Sequence, residues 1–286
     1  MSDIKEKMET ARKIKEELEQ NTMIPCAHIT LSTQPCGIWD SKVGGLPYFP
    51  EGAQVPTNAA GKPLYLLAQI NCGQIGELPD FPQKGMLQFF ISDNDLYGCP
   101  LSVPSPQENW RVVYYPEIDK TTDPARAAEL FGDGSDRELS PFSGEYKMTF
   151  ARADEGISIN DYRFEEMFVE RWNELNPGDE IDDIMDLDDE VYEFLWDGAG
   201  SDDEEDEEEG KKGCEHKIGG YPFFTQSDPR EDEENDYDTL LFQLDTDGAN
   251  GVDVMWGDLG IGNFFINRDA LKNLDFSDVL YNWDCY

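Results

Sequence analysis

Ser41-Lys42-Val43-Gly44-Gly45-Leu46-Pro47-Tyr48-Phe49-Pro50 returns downstream, in altered form, as His216-Lys217-Ile218-Gly219-Gly220-Tyr221-Pro222-Phe223-Phe224. Each copy reads Lys, a β-branched residue, Gly-Gly, a large apolar residue, Pro and two aromatics. Paired glycines reach backbone angles that other residues resist. The proline fixes φ and removes a donor. The stretch reads as a tight loop that delivers two aromatics to a core. Successive free N–H groups can hold an anion. Neither copy, however, supplies Lys-Ser/Thr after its glycines, so a phosphate loop is disfavoured.

Outward from this stretch the parallel continues. Leu64-Tyr65-Leu66-Leu67-Ala68-Gln69-Ile70-Asn71 is matched by Leu240-Leu241-Phe242-Gln243-Leu244-Asp245, and Gly85 to Ser92 by Gly260 to Asn267. Trp110 to Tyr115 reads as a further strand, and Val279 to Trp283 falls where its Val112 to Tyr115 would. Gly44 to Gln69 spans 25 residues and Gly219 to Gln243 spans 24; Gln69 to Phe89 spans 20 and Gln243 to Phe264 spans 21. Motifs recurring in one order at near-equal spacing predict two related halves. The near-continuous apolar runs predict central strands covered on both faces.

The remainder is punctuated differently. Ile4, Met8, Ala11, Ile14 and Leu18 recur at helical spacing, which predicts an amphipathic helix over 1–22. A first β repeat is expected over 23–120, beginning with a strand at Ile24 to Leu31. Residues 121–200 read as a connection. It holds a short helix at Asp123 to Leu130, a strand at Tyr146 to Ala153, and a helix facing inward through Phe164, Phe168, Trp172 and Leu175, with Ser158 and Asp161 as its capping pair. A second, acidic helix is expected from Ile184 to Leu195. Eight consecutive acids, Asp202 to Glu209, make 201–213 a self-repelling flexible loop. A second β repeat follows over 214–286, with an acidic surface insertion from Glu231 to Asp238.

Charge limits function. The chain has 286 residues, with 22 basic against 62 acidic and a net of −40. From Glu174 to Glu209 there are 19 acids and no Lys or Arg. Such a field repels nucleic acids and anionic membranes. It suits a basic protein partner, and its plainest use is solubility. No apolar run reaches the length of a membrane span. Six scattered cysteines behind a charged N-terminus point to reduced thiols in the cytoplasm.

Catalytic signatures are sparse. There is no Gly-x-Ser-x-Gly elbow. The two histidines each follow a cysteine by two, Cys26 with His28 and Cys214 with His216. In a strand such pairs share a face, as a thiolate–imidazole pair or a four-ligand zinc site would require. Their spacing is not that of zinc motifs, and buried cysteine often serves as a small apolar residue. Asp245 to Asp253 is acidic, but Ala249 stands where an EF-hand needs an oxygen ligand, so a turn is the simpler reading. Asp40, Asp245 and Asp258 flank the strand or glycine motifs and are candidate carboxylates, with turn duty as the alternative. A ligand cleft, if the two loops meet, would be lined by Gly44, Gly45, Tyr48, Phe49, Gly219, Gly220 and Phe223. No cofactor is implied.

At the Gly-Gly stretches, the Leu-Leu-Ala-Gln-Ile-Asn and Leu-Leu-Phe-Gln-Leu-Asp runs, Gly-Met-Leu-Gln-Phe-Phe and Met255-Trp256-Gly257-Asp258, the sequence resembles the YwqG-like family of unknown function, over about 24 to 286. The resemblance implies a cytosolic, β-dominated α+β protein with an antiparallel, roll-like body. It implies no activity or catalytic residues. The function expected is that of a non-catalytic binding protein for a basic partner. The alternatives are a hydrolase with its site between the repeats and a divalent-metal-binding protein.

Overall fold

The structure is a computed structural model that describes residues 2–100, 106–132, 137, 139–196, 216–231 and 235–286. The expected flexible loop at 201–213, including Asp202 to Glu209, and Cys214 lie outside the described residues. Helix α1 (Ser2–Asn21) leads into β1 (Ile24–Ser32), β2 (Lys42–Val43), β3 (Tyr65–Asn71), β4 (Met86–Ile91) and β5 (Trp110–Tyr115). Then come α2 (Pro124–Phe131), β6 (Tyr146–Glu155), α3 (Arg163–Leu175) and α4 (Asp189–Trp196). The chain closes with β7 (Lys217–Gly219), β8 (Thr239–Asp245), β9 (Ile261–Ile266), α5 (Arg268–Lys272) and β10 (Val279–Asp284).

All ten strands form one antiparallel sheet in the order β10-β9-β8-β7-β1-β6-β2-β3-β4-β5. The fold is thus the expected β-dominated α+β body. The sheet curls until its ends face each other. Phe89 of β4 lies 4.8 Å from the rings of Phe242 and Phe264, and Trp110 of β5 lies 5.5 Å from Tyr281 of β10. The facing ends are tied by side chains: Trp283 Nε1 donates to the Leu96 carbonyl at 2.8 Å, and Gln107 Nε2 to that of Phe276 at 2.8 Å. The sheet is therefore a nearly closed barrel, which leaves little of the edge backbone open. β4 and β9 are buried at every position because the barrel core lies on one face and local covers on the other. Those covers are Phe131 of α2 over Leu66 and Phe90, and Phe224 with Tyr237 over Leu240 and Phe265.

A second core joins the helices. Ala11, Ile14 and Leu18 of α1 pack with Phe164, Phe168 and Trp172 of α3 and with Val191 and Leu195 of α4. The 163–196 segment differs from expectation in two places. Ser158 does not cap α3; the carboxylate of Asp161 accepts the Arg163 N–H instead, because it is already held by that residue's guanidinium. The expected acidic helix is split. Asp183 and Asp186 close a 3-10 turn over Ile184–Asp186, extended Leu187 interrupts the spiral, and α4 starts afresh. At the acidic turn, Ala249–Gly251 is a short 3-10 segment with Asn250 at φ 53°.

Candidate functional site

The chemistry shared by the two Gly-Gly loops is set by what lies beneath them. In a strand, side chains alternate between faces. Ala27, Ile29 and Leu31 of β1 enter the barrel core, so Cys26, His28 and Thr30 face outward. Lys217 pairs with His28 and Gly219 with Cys26. Glu155, at the end of β6, leans across from the other side, since Ile24 is its partner in register. Its carboxylate takes Lys217 Nζ at 3.1 Å on Oε1 and 2.9 Å on Oε2. Oε2 also accepts the Tyr221 N–H at 3.1 Å. His28 Nε2 lies 3.3 Å from Oε1 and 3.7 Å from Cys26 Sγ. Gly219 and Gly220 have φ of 70° and 72°. A Cβ at Gly220 would stand 2.3 Å from Glu155 Oε2, so the second glycine permits the backbone to close on the carboxylate.

The first loop has the same parts. Lys42 Nζ meets Glu145 Oε1 at 2.6 Å, and a Cβ at Gly45 would stand 2.1 Å from that oxygen. Both lysine side chains are 1 % exposed. Leaving either ammonium without its carboxylate would strand a buried charge, a cost of about 3–5 kcal/mol. After each loop, paired amides grip the backbone. Gln69 Oε1 accepts the Tyr48 N–H and Gln88 Nε2 donates to the Tyr48 carbonyl; Gln243 and Asn263 hold Phe223 in the same way. Tyr48, Phe49 and Phe223 are core residues.

The two loops do not meet. Cys26, beside Gly219, and Ser32, whose partner Lys147 pairs with Lys42, are six positions apart on β1 (32 − 26), roughly 20 Å at about 3.3 Å per residue. Gly44, Gly45, Tyr48 and Phe49 therefore do not share a cleft with Gly219, Gly220 and Phe223. Nor does His216 join Cys26 and His28. Its Nδ1 accepts the Asp245 N–H at 2.9 Å and its Nε2 lies 3.3 Å from Asp247. That contact, then burial acting against it, leaves the Asp247 carboxyl below the usual carboxylate range. Asp245 accepts from the Thr246 N–H, Asp40 is held low by the Gly37 N–H, and Asp258 is exposed. Among the described residues, the candidate metal cluster is Cys26, His28 and Glu155. Sequence reasoning found the first two from their spacing. Glu155 carries no local signal, because its role depends on β6 lying against β1.

Burial first, and Glu155 next, push the Cys26 thiol up to about 12. Burial and then Glu145 push Cys36 up to about 11. Cys72 and Cys99 are raised by burial to about 12 and 11. These thiols stay protonated near neutrality, unlike an activated nucleophile.

A family model described as a domain of unknown function (DUF1963) matches residues 41–285. A search of curated proteins gave no match.

Proposed function

Because this chain belongs to the DUF1963 family, we propose that it is a YwqG-like, cytoplasmic, non-catalytic binding protein whose acidic surface engages a basic protein partner. One observation carries the reading. The segment from Arg163 to Trp196 has seven Glu and six Asp against two Arg, and both arginines are spent internally, on Asp161 and on Glu17 with Glu174. Burial and then Asp183 raise the Glu165 carboxyl, as expected where like charges crowd. A cationic partner would relieve that repulsion. The protonated thiols and ion-paired lysines at the Gly-Gly loops fit structural duty better than hydrolysis, and the free state of the described cysteines fits a reducing compartment.

The two-halves reading belongs to the same proposal. β3 and β8 have their register shift at matching places, Leu66/Ala68 and Leu240/Phe242. Equating Lys42 with Lys217 also equates their partners, Lys147 and His28. Under that equation Thr30 has Thr149 as its counterpart, and their pairing across β1 and β6 supports a pseudo-two-fold relation of the halves.

The test is titration of a fluorescent Lys/Arg-rich peptide into the full chain at low and high salt. Binding should weaken steeply with salt. It should also weaken in a variant carrying Asp189→Asn, Glu190→Gln and Glu193→Gln. Affinity indifferent to both salt and these substitutions would overturn the proposal.

A further inference from the structure

Cys26 Sγ, His28 Nε2 and a Glu155 carboxylate oxygen all lie within 4.8 Å of one another on the outer face of the sheet. We propose that these three side chains form a site for one transition-metal dication of the zinc class, with water completing a tetrahedron. Two edges of the triangle have the lengths such a site requires. Bond lengths of about 2.3 Å to sulfur, 2.05 Å to nitrogen and 2.1 Å to oxygen at tetrahedral angles give an S···N edge of about 3.6 Å and an N···O edge of about 3.4 Å. The observed separations are 3.7 Å for Cys26 Sγ to His28 Nε2 and 3.3 Å for His28 Nε2 to Glu155 Oε1. The remaining pair, Cys26 Sγ and the Glu155 carboxylate oxygen, lies within 4.8 Å, and rotation of the Glu155 side chain is the adjustment that would close the triangle on a dication.

The surroundings are built for a ligating carboxylate. Glu155 presents Oε1 to His28, while the Tyr221 N–H holds Oε2 in place. Such an outer partner orients a metal ligand. The His28 side chain is 29 % exposed, which leaves a route for ion and water. Lys217 now neutralises Glu155. As the metal–sulfur bond forms, the Cys26 thiol proton leaves to solvent. Metal, thiolate, carboxylate and ammonium then sum to one positive charge, a modest excess over the neutral metal-free site. The related position at the other loop has lost the chemistry: Lys147 pairs with Lys42 where His28 pairs with Lys217, so an ammonium stands in the imidazole's place. One chain therefore takes one ion.

The experiment uses the full chain with Co2+ and Zn2+ as probes. Co2+ should raise a thiolate-to-cobalt charge-transfer band that saturates at one equivalent and persists in excess Mg2+. Cys26→Ser should abolish the band. His28→Gln, at a part-exposed position with less risk to folding, should weaken Zn2+ binding at least about tenfold in competition with a chromogenic chelator. Glu193→Gln, at an exposed acid of α4, should change neither reading. A missing band, a band erased by Mg2+, unchanged Zn2+ affinity in His28→Gln, or equal losses in Glu193→Gln would each overturn the site in favour of diffuse association with acidic surface.

Discussion

Replacing Gly220 by alanine should destabilise the protein by about 2.5–5 kcal/mol, the sum of two separable costs. The first is conformational. Gly220 has φ of 72°, and holding an L-residue in the left-handed region costs about 1–2 kcal/mol. The second is contact. The new Cβ would lie 2.3 Å from Glu155 Oε2 and 3.0 Å from Cys26 Cβ. Glu155 must swing away, releasing the Tyr221 N–H and loosening Lys217, whose side chain is buried. A hydrogen bond to a charged group contributes about 1.5–3 kcal/mol. Two other glycines dissect the sum. Gly52 has φ of 82°, and a methyl group there would have nothing within 4 Å, so alanine meets the conformational cost alone. At Gly45 the methyl would meet Glu145, and displacing that carboxylate strands the buried Lys42 ammonium, so its loss should be comparable to that at Gly220. Urea unfolding with linear extrapolation ranks the three. Equal losses at Gly220 and Gly52 would refute the claim that the loop is closed on its carboxylate.

Two further outcomes follow from buried and crowded charges. Asp161→Asn should cost about 3–5 kcal/mol, since its carboxylate takes both Arg163 and the buried Arg230. Burial works to raise this carboxyl, but the Arg163 hydrogen bond and both guanidinium charges hold it below the usual range. Its contribution is therefore present above the unfolded carboxylate pKa and lost as pH falls through the lower folded value. An unchanged unfolding midpoint would mean that Asp228 alone satisfies Arg230. Glu165→Gln should do the reverse. Burial, then Asp183, raise this carboxyl in the folded state, so ionising it works against folding. The amide should raise the thermal midpoint at neutral pH, and the advantage should vanish as pH falls below the ordinary Glu value of about 4.3. A constant advantage at all pH would sink the explanation.

The strands were legible because their signals are local. Two copies of Leu-Leu-x-Gln located β3 and β8, and largely apolar runs located β4 and β9; the Lys-x-Gly-Gly copies read as loops, and each also carries a short strand, β2 or β7. The amides of Gln69 and Gln243 stood out as polar residues in those runs, but their role as clamps on Tyr48 and Phe223 needed the loop folded back on the sheet. The site was half visible. Cys26 and His28 share a face by strand periodicity alone. Glu155 is one acid among 62, and only the register of β6 against β1 selects it. The reading failed where local competition decided the outcome: Asp183 and Asp186 bonded to nearby backbone and broke a helix that apolar periodicity had predicted.

The place of β1 in the sheet has a consequence for how the protein is made. Ala27 pairs with Arg152 and with Ile218, which follow it by 125 (152 − 27) and 191 (218 − 27) residues. At about 5–20 residues per second, a ribosome needs roughly 6–25 s to supply even the nearer neighbour. Through that interval the first strand is an orphan with both edges open, a template for pairing with other chains. Pro25, which lacks an N–H to offer such a neighbour, lies within that strand. The nascent chain is thus most vulnerable at its beginning, and the strand that seats Cys26 and His28 is finished only when the last strands arrive.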